Sequence, residues 1–134
     1  MIRKRFFAWF LRKGDPINHK IYGPIKSELF QEIRGSIVEI GPGTGVNFEY
    51  FPRKIEWSGI EPNELFWPDL KRKAESKGIE PKIKKGDDSL IPLPDESADI
   101  VLVTLVLCSV KDPAQMIREI KRILKPNGKL IFIE

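Results

Sequence analysis

The feature that most constrains this chain is Val38-Glu39-Ile40-Gly41-Pro42-Gly43-Thr44-Gly45, an apolar strand running into a glycine-rich turn and then a helix. Gly41 and Gly43 permit a tight turn and let a ligand approach the backbone where any side chain would clash. A G-x-G-x-G string alone is a weak signal. Here it has an acidic partner, Glu61, 20 residues after Gly41 at the end of the next apolar run. In that position a carboxylate can accept both ribose hydroxyls of an adenosine.

From Ser36 onward, short apolar strands alternate with helices. The expected strands are Ser36–Ile40, Ile55–Ile60, Lys82–Lys85, Asp99–Leu107 and Lys129–Glu134. The third is short and basic, which suits a sheet edge. The fourth is the longest apolar run and reads as buried on both faces. Helices are expected at Val46–Phe51, at Leu65–Ser76, and after Asp112, which caps a helix with Pro113 in its first turn and Gln115 completing a capping box. In that last helix Met116, Ile117, Ile120 and Leu124 should face the sheet, and Lys125-Pro126-Asn127-Gly128 should end it. The alternation predicts an α/β domain over residues 35–134, a parallel sheet with helices on both faces.

Residues 1–34 read as a separate basic and aromatic arm. They carry eight Lys/Arg and three acids, whereas the rest of the chain carries 15 basic and 16 acidic side chains. The net charge of +4 therefore belongs to the arm. Without a basic stripe on the body, nucleic acid is not an expected partner. Met1–Lys13 should be a helix with Ile2, Phe6, Trp9 and Phe10 on one stripe, interrupted at Gly14-Asp15-Pro16 and again at Gly23-Pro24. A second helix, Pro24–Ile33, should present Ile25, Leu29 and Ile33 on one face. The arm is expected to dock on its own domain as a lid, with contact to an anionic membrane surface as the alternative. Its uncharged run, Phe6–Leu11, is far shorter than the roughly 20 residues that a membrane span needs, and it lacks a secretion-signal pattern. The single cysteine, Cys108, excludes an internal disulfide and suggests a reducing, cytoplasmic setting; no metal site is expected.

Dinucleotide-binding turns follow G-x-G-x-x-G, but here the third glycine comes one residue early. Glu39-Ile40-Gly41-Pro42-Gly43-Thr44-Gly45 resembles motif I of the class I S-adenosylmethionine-dependent methyltransferases, E/D-x-G-x-G-x-G. The resemblance continues through Gly59-Ile60-Glu61-Pro62-Asn63 with Phe66, through Gly86-Asp87-Asp88-Ser89, through Val103-Thr104-Leu105, and through the Leu124–Leu130 turn. Within the family, Glu39–Phe51 and Thr104–Val110 are most similar to the membrane-associated thiol methyltransferases.

The resemblance implies S-adenosylmethionine as cofactor, contacted by Glu39, Gly41, Gly43, Thr44, Gly45, Asn47, Glu61, Pro62, Asn63, Phe66, Asp87, Asp88, Thr104 and Leu105. Phe66 would pack on the adenine, Asp87 and Asp88 would read its edge, and Thr104 and Leu105 would meet the methionine part. It further implies a Rossmann-like strand order 3-2-1-4-5 and a small-molecule methyl acceptor, with a thiol as the lead. A cofactor-binding module without turnover, or a protein methyltransferase, stands as the alternative. Methyl transfer from a sulfonium is a direct displacement that needs positioning more than a dyad, so no catalytic residue is singled out. The family's fold continues past strand 5 with further antiparallel strands, whereas this sequence stops at Glu134 within strand 5. The exposed strand is expected to pair with a second copy as a homodimer. Trp57 and Cys108 are expected to be buried, and Trp67 to wall the adenine pocket. Tyr22 is a candidate for cofactor contact from the lid, and His19 is read as a surface residue.

Overall fold

A computed structural model describes residues 2–87 and 89–134. Asp88, the second adenine-edge carboxylate expected from the sequence, lies outside the described residues. The elements in chain order are α1 (Ile2–Phe30), β1 (Gly35–Ile40), β2 (Ile55–Ile60), α2 (Trp67–Ser76), β3 (Lys82–Lys84), β4 (Ala98–Thr104), α3 (Pro113–Ile123) and β5 (Leu124–Ile133). Short 3₁₀ turns occupy Val46–Tyr50, Glu64–Phe66 and Leu107–Ser109. The five strands form one sheet in the order β3-β2-β1-β4-β5, and all four pairings are parallel. This is the expected Rossmann-like order.

The two-residue period of the strands divides the core. Ile37, Ile100 and Leu102 point to one face, where they meet Phe48, Trp57, Phe66, Leu70 and Ala74, with Ala8 and Phe30 of α1. Val38, Ile40, Val101 and Val103 point to the other, where Met116, Ile120 and Ile123 of α3 cover them. Fully burying one such aliphatic side chain stabilises the fold by about 1.5–3 kcal/mol. That is why β1 and β4 read as near-continuous apolar runs. Asp112 caps α3 by accepting the Gln115 N–H at 3.0 Å, while the Gln115 side chain donates to the Ser89 carbonyl.

Several expectations need correction. The arm is one continuous helix, with Pro16 and Pro24 inside it. Tertiary packing overrides the local breakers: Gly23 sits against Tyr50, where an added Cβ would lie 2.9 Å from the hydroxyl, so the glycine serves close approach rather than a turn. Nor does α1 bury the expected stripes. Phe6, Phe10, Ile25 and Leu29 are exposed, and the inward face carries Ala8, Gly23, Lys26 and Phe30.

Strand β4 ends at Thr104 because Leu105 adopts φ +56°, a left-handed backbone that strand pairing cannot continue. Cys108 therefore falls in the following 3₁₀ turn and is exposed rather than buried. Ile117 is also exposed, since α3 turns Met116, Ile120 and Ile123 inward. Pairing with β4 begins already at Leu124 and resumes at Lys129, so Lys125-Pro126-Asn127-Gly128 forms an irregularity within β5.

Candidate cofactor-binding site

In a parallel sheet, ligands collect beyond the carboxyl ends of the strands where the strand order reverses, here between β1 and β4. A cleft of about 500 Å³ lies there. The turn after β1 contributes Gly41 and Gly43, the segment after β2 contributes Glu61, Pro62, Asn63 and Phe66, and Asp87 follows β3. Leu105, Val106 and Ser109 close it from the segment that follows β4, Met116 from α3, and Lys4, Phe7 and Leu11 from α1.

Gly43 has φ +55°, and a Cβ built on it would meet nothing within 4 Å. The left-handed backbone and the open space together let a ligand rest against the turn. The Gly43 N–H donates to Glu61 Oε2 at 3.0 Å, and the Asn63 N–H donates to Oε1 at 2.8 Å. These two bonds aim the carboxylate and leave it further lone pairs for a diol. Burial pushes the Glu61 carboxyl above its ordinary value, opposed by the N–H bonds from Asn63 and Gly43. Asp87 is held low by the hydroxyl and N–H of Ser89, which keeps an ionised acceptor at the rim.

A buried polar network supports the turn from beneath. Glu39 is 1% exposed and accepts from Asn47 Nδ2 at 2.6 Å and Trp57 Nε1 at 2.9 Å. Asn47 Nδ2 also donates to Thr104 Oγ1 at 3.0 Å. Burial pushes the Glu39 carboxyl up to about 7 against the pull of Trp57, Asn47 and Lys26. Asn47 Oδ1 is buried without a hydrogen-bond partner. Thr44 Oγ1 donates to Asp15 of α1 at 2.8 Å, and Gly45 packs by Leu70 and Phe48.

The sequence-derived candidates thus divide by position. Gly41, Gly43, Glu61, Pro62, Asn63, Phe66, Asp87 and Leu105 line the cleft, whereas Glu39, Thr44, Gly45, Asn47 and Thr104 lie outside its lining. Trp67 braces the loop from behind, donating to the Glu61 carbonyl at 3.2 Å, and is not part of the wall. Tyr22 stacks near the Lys26 ammonium, and His19 Nδ1 lies 2.7 Å from Tyr50 Oη; neither lines the cleft. Sequence reasoning missed Lys4, Phe7 and Leu11. Their i, i+3, i+7 spacing marks one helical face, but the larger Ile2–Phe6–Phe10 stripe masked it.

Sheet, glycine turn and ribose-facing carboxylate define an α/β domain shaped for an adenosine-type cofactor. The methyltransferase-domain family matches residues 38–132, and the chain belongs to it. Human thiol S-methyltransferase TMT1A is 35% identical over 99% of this chain and 59% of its own length. Mouse thiol S-methyltransferase TMT1B is 33% identical over the same two shares. The chain therefore spans 59% of the length of these relatives. Among solved structures, a SAM-dependent methyltransferase from Aquifex aeolicus matches with a TM-score of 0.76 at 20% identity, covering 93% of this chain and 71% of that one, a likeness of fold.

S-adenosylmethionine is the cofactor of this family, and the residues present fit it. The turn is open at Gly43, the Glu61 carboxylate faces the cleft, and Phe66 offers an apolar surface beside it.

Proposed function

We propose that this chain forms the cofactor-binding part of an S-adenosylmethionine-dependent methyltransferase that acts on a small-molecule acceptor, with a thiol as the leading class. One observation carries the reading: the open Gly43 turn and the buried Glu61 carboxylate, bonded to each other, face one cleft with Phe66 and Asp87. The thiol class is supported by the two thiol S-methyltransferase relatives. When bound, S-adenosylmethionine supplies an activated methyl carbon, so the protein's task is to orient the reactants and exclude water. Glu61 would accept the ribose hydroxyls, Phe66 would support the adenine, and Leu105 and Val106 would give an apolar wall near the reacting end.

A methyl-transfer assay over alkyl thiols, amines and protein substrates tests the reading. Turnover on thiols supports it. Cofactor binding with no transfer to any acceptor favours a binding module, and transfer confined to proteins favours a protein methyltransferase.

Two contacts belong to the same reading. Among the described residues β5 has a neighbour on one side only, and Phe132 on it is 59% exposed. That edge supports a homodimer paired through β5. The exposed Phe6, Phe10, Ile17 and Ile21, with Arg3, Lys13 and Lys20 nearby in sequence, support peripheral contact of α1 with an anionic bilayer. No helix among the described residues is long and apolar enough to cross a membrane. A cytoplasmic setting, in which the exposed Cys108 thiol stays reduced, accords with this reading.

A further inference from the structure

Helix α1 consists of a shaft tied to the domain by several polar contacts and a tip that is held by the packing of Ala8 and Leu11 and by a single polar side chain. From Asp15 onward it is tied to the domain: Asp15 accepts from Thr44 Oγ1 at 2.8 Å and lies 3.7 Å from Lys73, and His19 meets Tyr50. Across residues 2–14, among the described residues, only Arg12 makes a side-chain hydrogen bond or ion pair outside the helix. That one side chain makes three attachments. Its Nε donates to Asp69 Oδ2 at 2.7 Å, its Nη2 donates to the Leu65 carbonyl at 3.0 Å, and its guanidinium lies 5.9 Å from the Phe66 ring centroid. Asp69 is in the first turn of α2, and Leu65 and Phe66 belong to the segment that follows Glu61.

Lys4, Phe7 and Leu11, on the same tip, form the cleft's α1 wall. Where Arg12 is fixed, these three are held over the cofactor position. The joint between tip and shaft is weak for a covalent reason. Pro16 has no N–H, so the helical bond that residue 16 would donate to the Arg12 carbonyl cannot form, and Gly14 beside it adds backbone freedom. The missing bond falls between the Arg12 attachment and the Asp15 pin.

We infer that residues 2–14 are a hinged roof over the cofactor cleft and that Arg12 is the positioning residue that latches it, so that cofactor exchange requires the Arg12 contacts to break. The inference rests on S-adenosylmethionine occupying the cleft described above. It adds a mechanical claim to that reading: the latch governs how fast the cofactor leaves, while the glycine turn and Glu61 govern whether it binds.

Stopped-flow measurement of S-adenosylmethionine association and release on the full chain tests this. Arg12→Ala should speed release about tenfold, the change expected from losing roughly 1.4 kcal/mol of closed-state interaction, with a melting temperature lowered by only a few degrees. Arg12→Lys keeps a charge opposite Asp69 but cannot also reach Leu65 in the same fork, so its release rate should fall between the two. Pro16→Ala restores the missing N–H and stiffens the joint; it should slow both association and release. Release rates unchanged in Arg12→Ala, or association and release both unchanged in Pro16→Ala, would overturn the latch while leaving cofactor binding intact. If the unsubstituted protein bound no S-adenosylmethionine, the cofactor reading would fall and the latch with it.

Discussion

At the residue scale, Glu61 does two jobs that a substitution separates only in part. It offers a carboxylate to the cleft, and it satisfies the Gly43 and Asn63 N–H groups. A charge-assisted hydrogen bond is worth roughly 1.5–3 kcal/mol. Glu61→Ala should therefore weaken S-adenosylmethionine by about tenfold to a hundredfold. It should also lower stability by about 1–3 kcal/mol, because two N–H groups lose their acceptor. Calorimetric titration and a thermal melt read the two effects; an unchanged dissociation constant in a folded variant would remove Glu61 from the site.

Glu39 makes a pH prediction. Its carboxyl is pushed from 4.5 up to about 7 by burial, so the folded state holds the proton more tightly than the unfolded chain does. The stabilisation this gives is complete below pH 4.5 and is lost as the pH rises through about 7. It amounts to about 3 kcal/mol. The carboxyls held low, Asp69 and Glu119, exert their opposite trend below that window. Glu39→Gln should flatten the fall in melting temperature across the window, and an identical slope in both proteins would contradict this.

The turn and Glu61 were readable in the sequence because their chemistry is local, a glycine run and one acid at a fixed distance. The Glu39–Asn47–Thr104 network was not readable as a support, because Thr104 reaches Asn47 across 57 positions that only the folded sheet brings together.

At the scale of elements, the strands are legible in the sequence and the arm is not. Parallel strands buried on both faces announce themselves as short apolar runs, and β2 matches its expected limits. In α1 two prolines and two glycines argue locally for breaks, yet the packing of Ala8, Gly23 and Phe30 holds one helix. Its larger apolar residues then face outward, an orientation that residue spacing alone does not encode. The proposed membrane contact belongs to this element. Flotation with phosphatidylcholine vesicles containing phosphatidylserine should carry the protein upward, and less so at high salt as charge is screened. Replacing Phe6 and Phe10 together by Glu should abolish flotation; equal flotation of that variant would show that α1 is not the contact.

At the scale of the whole molecule, the proposed pairing of two copies through β5, which among the described residues pairs only with β4, would set the mass in solution. Light scattering on a sizing column at micromolar concentration should give twice 15.4 kDa, and Phe132→Lys should shift the population toward monomer. A monomer that still binds cofactor would contradict the pairing. The central claim is that this fold holds S-adenosylmethionine in the cleft at the ends of β1, β2 and β4. Calorimetric titration of the unsubstituted protein and of Gly43→Val with S-adenosylmethionine, its demethylated product and NAD tests it most directly. The unsubstituted protein should bind the first two at one site and NAD not at all, because the glycine spacing departs from the dinucleotide pattern. Gly43→Val, whose side chain would fill the open space at φ +55°, should bind none of them. Normal binding by Gly43→Val, or a preference for NAD, would contradict the account.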